Sequence, residues 1–210
     1  MSELIRIGSV NERPRAPRPD ELNLRFSPKA VTELDALKTH YPTLKACILP
    51  GLWIAQREYG GNLTGDAIAE VAHRLNRSYA EVDGVATFYS MYNTGHRVGR
   101  HMIEVCTCLS CHVGGAYRMV DLLRAKLGID VGETTPDGVF TLHEVECLNA
   151  CDRAPLIQVG PTYHGPVDEA YLDRLLADLR AQATSSVVQL ADDLVNVHLQ
   201  SAERERAAKA

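Results

Sequence analysis

The sequence has no run approaching the roughly 18 apolar residues that a membrane-spanning helix needs. Its opening stretch, MSELIRIGSVNERPRAPRPD, holds no apolar segment of the kind that leads a chain to export. The expectation is a cytosolic protein without direct membrane insertion, any membrane link being made through partners. Excess positive charge is also missing. With 22 Lys and Arg against 27 Asp and Glu the net charge is −5, which argues against sequence-independent binding to nucleic acid. No G-x-G-x-x-G follows a strand and no glycine-rich phosphate loop occurs, so binding of a dinucleotide by this chain alone is not expected. What is present is a globular composition, 45% hydrophobic and 23% charged over 210 residues, long enough to bury a sizeable core as one large domain or two small ones.

Two kinds of pattern divide the chain. Residues 1–26 carry Pro14, Pro17 and Pro19 with arginines between them, a composition that buries little apolar surface and predicts an extended, flexible arm. From 27 to 99 the pattern is helical. Ser27-Pro28 is an N-cap with proline at the first helical position, and Val31, Leu34 and Leu37 follow at helical spacing. A second helix is expected from Leu44 to Tyr59, bent or split by Pro50. Thr64 caps a third with Ile68, Val71, Ala72 and Leu75 on one face. Ser78 with Glu81 forms a capping box for a fourth. From 100 to 183 the pattern becomes strand and helix in alternation. Met102 to Val105 runs into Cys106, a crossover helix from Ala116 ends at Gly128, and Val139 to Val145 alternates. Pro155 to Val159 is a further strand, another is possible around Tyr163, and Asp168 caps a helix bearing Leu172, Leu175, Leu176 and Leu179. The fold class is therefore α+β, a small helical bundle followed by a thioredoxin-like α/β domain. Residues 184–210 are weakly amphipathic and then charged, and are expected to form a flexible tail.

Five of the six cysteines fall in two clusters, Cys106, Cys108 and Cys111 in the first and Cys147 and Cys151 in the second; Cys47 stands apart among Leu44, Ile48 and Leu49 as a small buried residue. In a reducing compartment such clusters are metal ligands or redox groups before they are structural disulfides. Four residues lie between Cys106 and Cys111 and three between Cys147 and Cys151, and each pair follows a strand end. If the two strands are parallel neighbours, both loops reach one sheet edge and four thiolates converge there. Thiolates are soft donors that suit zinc or an iron–sulfur cluster. Structural zinc favours the tighter C-x₂-C hairpin, whereas a two-iron rhomb accommodates wider loops. The plant-type C-x₄-C-x₂-C run is excluded because Gly114 stands where its next cysteine would be, and neither His112 nor His143 has the spacing of a Rieske ligand. All-cysteine ligation by Cys106, Cys111, Cys147 and Cys151 fits best. Two alternatives stay open: a zinc tetrad using Cys108 in place of Cys106, making a zinc-stabilised interaction module, and a thiol–disulfide pair in Cys108-Leu-Ser-Cys111.

The runs VCTCLSC (105–111), LGIDVGETTPDG (127–138), VECLNAC (145–151) and APLIQV (154–159), with GVATFYS (84–90) upstream, closely resemble the small iron–sulfur subunit, or E subunit, of the NADH-dehydrogenase module of bacterial respiratory complex I. The resemblance covers about residues 30–183. It implies a thioredoxin-like domain holding one 2Fe-2S cluster on Cys106, Cys111, Cys147 and Cys151. It also implies a partner flavoprotein subunit that carries NADH and FMN, a large iron–sulfur subunit in the same module, and a place on the cytoplasmic side of the inner membrane through the complex. The chain would be an electron carrier within an NADH:quinone oxidoreductase, without a catalytic residue or substrate site of its own. The equivalent subunit of an NAD-linked hydrogenase or formate dehydrogenase shares the motifs. Cys108, an extra thiol in the first ligand loop, and Asn149, where the family often has glycine, depart from the pattern; a changed hydrogen bond to a sulfur at Asn149 would shift the potential. Backbone N–H groups of residues 109–115 and 148–153 are expected to face the sulfurs, with Gly114 and Gly115 allowing close approach or simply a tight entry into the next helix. His112 and Arg153 read as surface residues, and Phe88, Tyr89 and Tyr92 as bundle core or docking face.

Overall fold

A computed structural model describes residues 21–95 and 97–209. Most of the arm expected over 1–26 lies outside the described residues. Its last residues dock on the bundle, where the backbone N–H groups of Arg25 and Phe26 donate to the buried Glu70 carboxylate at 2.8 and 3.0 Å.

Four helices follow, α1 (Pro28–His40), α2 (Ile48–Glu58), α3 (Gly65–Arg74) and α4 (Tyr79–Phe88). Ser27, Thr64 and Ser78 cap α1, α3 and α4 by accepting from the N–H three residues on, which satisfies donors that the first turn leaves free. Pro50 neither bends nor splits α2. It sits in the first turn, where a missing N–H removes no intrahelical bond.

The tail expected to be flexible is instead a long helix, α8 (Ser186–Lys209), and it completes the bundle. Ala191 and Val195 are fully buried with Leu34, Leu37, Leu52, Ile54 and Leu75. Arg57 of α2 bridges Asp192 of α8 at 2.8 Å and Glu33 of α1, and the Tyr41 hydroxyl meets His198 Nδ1 at 2.8 Å. The sequence periodicity of α8 is weak because only one narrow stripe of it faces the bundle.

The second half is a four-stranded sheet in the order β2-β1-β3-β4, with β1 (His101–Cys106), β2 (Phe140–Val145), β3 (Ile157–Val159) and β4 (Thr162–His164). β1 and β2 are parallel, while β3 is antiparallel to β1 and to β4. A parallel pair needs a crossover, here supplied by the short α5 (Leu109–Val113) and by α6 (Ala116–Leu127), which ends on Gly128 at φ 68°. Ile103, Val105, Phe140, Leu142, Ile157 and Val159 form one core with Val120 and Leu123 of α6 and Leu172 of α7 (Glu169–Ala181). The register pairs Cys106 with Val145, so the chain leaves β1 and β2 at one edge of the sheet.

Candidate metal centre

The cysteine loops grow from that shared edge. Cys106 is the last residue of β1, anchored by its N–H to the Leu156 carbonyl at 3.0 Å. The chain then turns through α5, with Cys108 as N-cap and Cys111 in its single stretch of helix. Gly115, at φ 94°, reverses into α6, and a Cβ at Gly114 would come within 3.2 Å of the Pro155 nitrogen. Of the two roles expected for these glycines, the structure shows the tight entry into α6 at Gly115, while the close approach at Gly114 is to Pro155 rather than to a sulfur. That loop leaves β2 at Val145, bends at Asn149 (φ 59°) and closes in a 3-10 turn, Cys151–Arg153. Asn149 tolerates the left-handed backbone as glycine would.

The sulfurs stand as two pairs. Cys106 and Cys111 are each 2% exposed and lie in a small apolar cluster with Ala116 and Leu156, packed by Cys108, Leu148 and Ala150. Cys147 and Cys151 are exposed, their sulfurs 3.6 Å apart. Burial pushes the Cys111 thiol up to about 11, with Cys106 beside it adding to the rise and a backbone N–H at Leu156 opposing it. The N–H of Asn149, 3.4 Å from Cys147 Sγ, leads the groups that lower the Cys147 pKa; Cys151 and Cys108 add to it. Cys151 is raised, first by its hydrogen bond to Cys147 and by the charge on that neighbour, then by desolvation, with Cys106 also contributing. Charge on Cys106 is thus felt at Cys151, as expected of two loops leaving one sheet edge.

Two sulfurs 2.3 Å from one tetrahedral metal are about 3.8 Å apart, close to the Cys147–Cys151 separation. Among the described residues no three Cys, His, Asp or Glu side chains converge as ligands of one ion. Cys147 and Cys151 are thus spaced as two ligands of one metal. Cys108 and Cys111 are free thiols, Cys111 buried and Cys108 half-buried against the same apolar cluster.

Residues 34–180 match the family model of the thioredoxin-like [2Fe-2S] ferredoxin. The chain belongs to that family. It is 43% identical over 159 residues to the E subunit 2 of the NADH-quinone oxidoreductase of Rhizobium meliloti (strain 1021), covering 76% of this chain and 94% of the relative. It is 41% identical over 147 residues to NADH-quinone oxidoreductase subunit 2 of Thermus thermophilus, covering 70% and 80%. Among solved structures, a chain of the air-oxidized NAD+-reducing [NiFe]-hydrogenase superposes with a TM-score of 0.56 at 24% identity. That likeness covers 64% of this chain and 23% of the hydrogenase chain, and it speaks for the fold alone.

Within this thioredoxin-like [2Fe-2S] ferredoxin the remaining residues singled out from the sequence fall as follows. His112 is exposed, its ring 5.2 Å from that of Tyr117. His143 sits on β2 level with Glu104. Arg153 donates to the carbonyls of Gly165 and Tyr163. Cys47 is buried, its thiol 3.7 Å from the Leu37 carbonyl. Tyr92 is core, 5.0 Å from the Trp53 ring and donating to the Leu49 carbonyl, whereas Phe88 is 78% exposed. Sequence reasoning missed Leu156, whose carbonyl accepts from the Cys106 N–H at 3.0 Å and whose side chain packs with Cys106 and Cys111, a contact set by the pairing of distant strands.

Proposed function

We propose that the chain is a one-electron carrier whose 2Fe-2S cluster is held by Cys106 and Cys111 on one side and Cys147 and Cys151 on the other. The observation that supports this most is the pairing of the sulfurs at the common end of the parallel strands β1 and β2. When bound, such a cluster supplies a ferric–ferrous couple. The protein supplies everything else. Rigid strand ends fix the loops, the buried pair keeps water from one side, and N–H groups of Asn149 and Leu156 offset thiolate charge. No acid–base group is required.

By the names of its relatives, the carrier works within an NADH:quinone oxidoreductase. There it takes electrons from or returns them to the FMN of the NADH-oxidising flavoprotein subunit, and shares its module with the large iron–sulfur subunit. No helix among the described residues is long and apolar enough to cross a membrane, which accords with a peripheral place on the cytoplasmic side of the complex. The test is reduction by NADH followed by visible absorption. The loaded chain alone stays oxidised, and addition of its flavoprotein partner bleaches it. Direct reduction without the partner, or none with it, refutes the assignment.

A further inference from the structure

The four proposed ligands differ in what can reach them. Cys106 ends β1, Cys111 lies in α5, and both are buried among Ala116 and Leu156. Cys147 and Cys151 are exposed free thiols whose sulfurs stand 3.6 Å apart. The backbone over 146–150 belongs to no helix or strand and turns at Asn149, whose N–H lies 3.4 Å from Cys147 Sγ. Because a disulfide needs its sulfurs at about 2.05 Å, the exposed pair at 3.6 Å has to close by about 1.5 Å, and it does so within an irregular loop. No strand or helix has to yield.

Access decides which thiol is oxidised. We propose that Cys147 and Cys151 are a reversible oxidation site that acts on the chain before its cluster is inserted, and that their disulfide blocks insertion. The oxidant is a small-molecule disulfide of the glutathione class. One exposed sulfur attacks it, forms a mixed disulfide and releases one thiol; the neighbouring sulfur then attacks the mixed disulfide and releases the second. The two protein sulfurs lose two electrons in all, which reduce the oxidant, and their two protons go to the released thiols. The oxidation follows from exposure and spacing alone. Its effect on insertion rests on the two cysteines being cluster ligands, since the thiolate is the form that binds metal.

The experiment treats the full chain, purified without cluster, with oxidised glutathione, alkylates the remaining thiols in denaturant and maps tryptic peptides by mass. Cleavage at Arg100, Arg118, Lys126 and Arg153 puts Cys106, Cys108 and Cys111 in peptide 101–118 and Cys147 and Cys151 in peptide 127–153. Two of the six thiols are expected to be lost, both in 127–153 and joined within it, while 101–118 stays fully alkylated. Cys151→Ser is expected to hold one glutathione on Cys147. Treated wild type is expected to take up no iron and sulfide until a dithiol reductant is added, and then as much as the untreated chain. No loss of thiols, loss first from 101–118, or a bridge between the two peptides overturns the oxidation site; full iron and sulfide uptake by a chain whose pair is oxidised overturns the block. An untreated chain that takes up neither iron nor sulfide overturns the cluster reading itself, and the peptide map still decides the disulfide.

Discussion

Glu104 gives the fold a pH dependence that can be worked through. It stands on the central strand β1, level with His143 of β2 and Gln158 of β3, and alternation turns it away from the face packed by α6 and α7. Burial pushes its carboxyl up from 4.5 to about 7. Between those two values the folded chain holds a proton that the unfolded chain has released. Stability is therefore complete below the unfolded pKa and falls as the pH rises through the folded one. At 1.36 kcal/mol per pH unit the shift corresponds to about 3 kcal/mol, reduced toward about 2 because part of the side chain still meets solvent. Glu104→Gln keeps the shape and removes the ionisation. Urea denaturation of the full chain followed by circular dichroism should show variant and wild type close together at pH 4.5 and the variant more stable by about 2 kcal/mol at pH 8. A gap that is the same at both pH values would refute the reasoning.

Two further substitutions test the scaffold, one in the helical bundle and one beside the first cysteine loop. Arg57→Ala strands the buried carboxylate of Glu33, leaving it Lys29 at 3.6 Å, and breaks the link to α8. The expected cost is about 3 kcal/mol by urea denaturation, and a loss below about 1 kcal/mol would contradict a structural role for that network. Gly115→Ala meets no atom within 4 Å but stands at φ 94°, so its cost is backbone strain alone, about 1–2 kcal/mol. A neutral result in thermal melting would mean the loop does not need that conformation.

How much of this is legible in the sequence follows from where the signal is local. N-caps are local, and Ser27, Thr64, Ser78 and Asp168 all cap as their spacing predicts. The strand ends are legible because β1 runs into Cys106 and the alternating β2 stops two residues before Cys147, and their parallel pairing is what brings the cysteine loops to one edge. α8 escapes a sequence reading for a non-local reason. Its burial comes from α2 and from Arg57, more than a hundred residues earlier in the chain, and its own stripe is thin. Pro50 misleads because a helix starting at Leu44 would place proline in its interior; starting at Ile48 puts it in the first turn.

The central claim is that the sulfurs of Cys106, Cys111, Cys147 and Cys151 together grip two irons. Anaerobic reconstitution followed by iron and acid-labile sulfide analysis tests it most directly, on wild type and on single serine variants of each of the five clustered cysteines. The expected result is two irons and two sulfides per wild-type chain, a diminished or unstable complement in each of the four ligand variants, and a full complement in Cys108→Ser. One metal per chain without sulfide, or full loading after loss of any of the four, would contradict it.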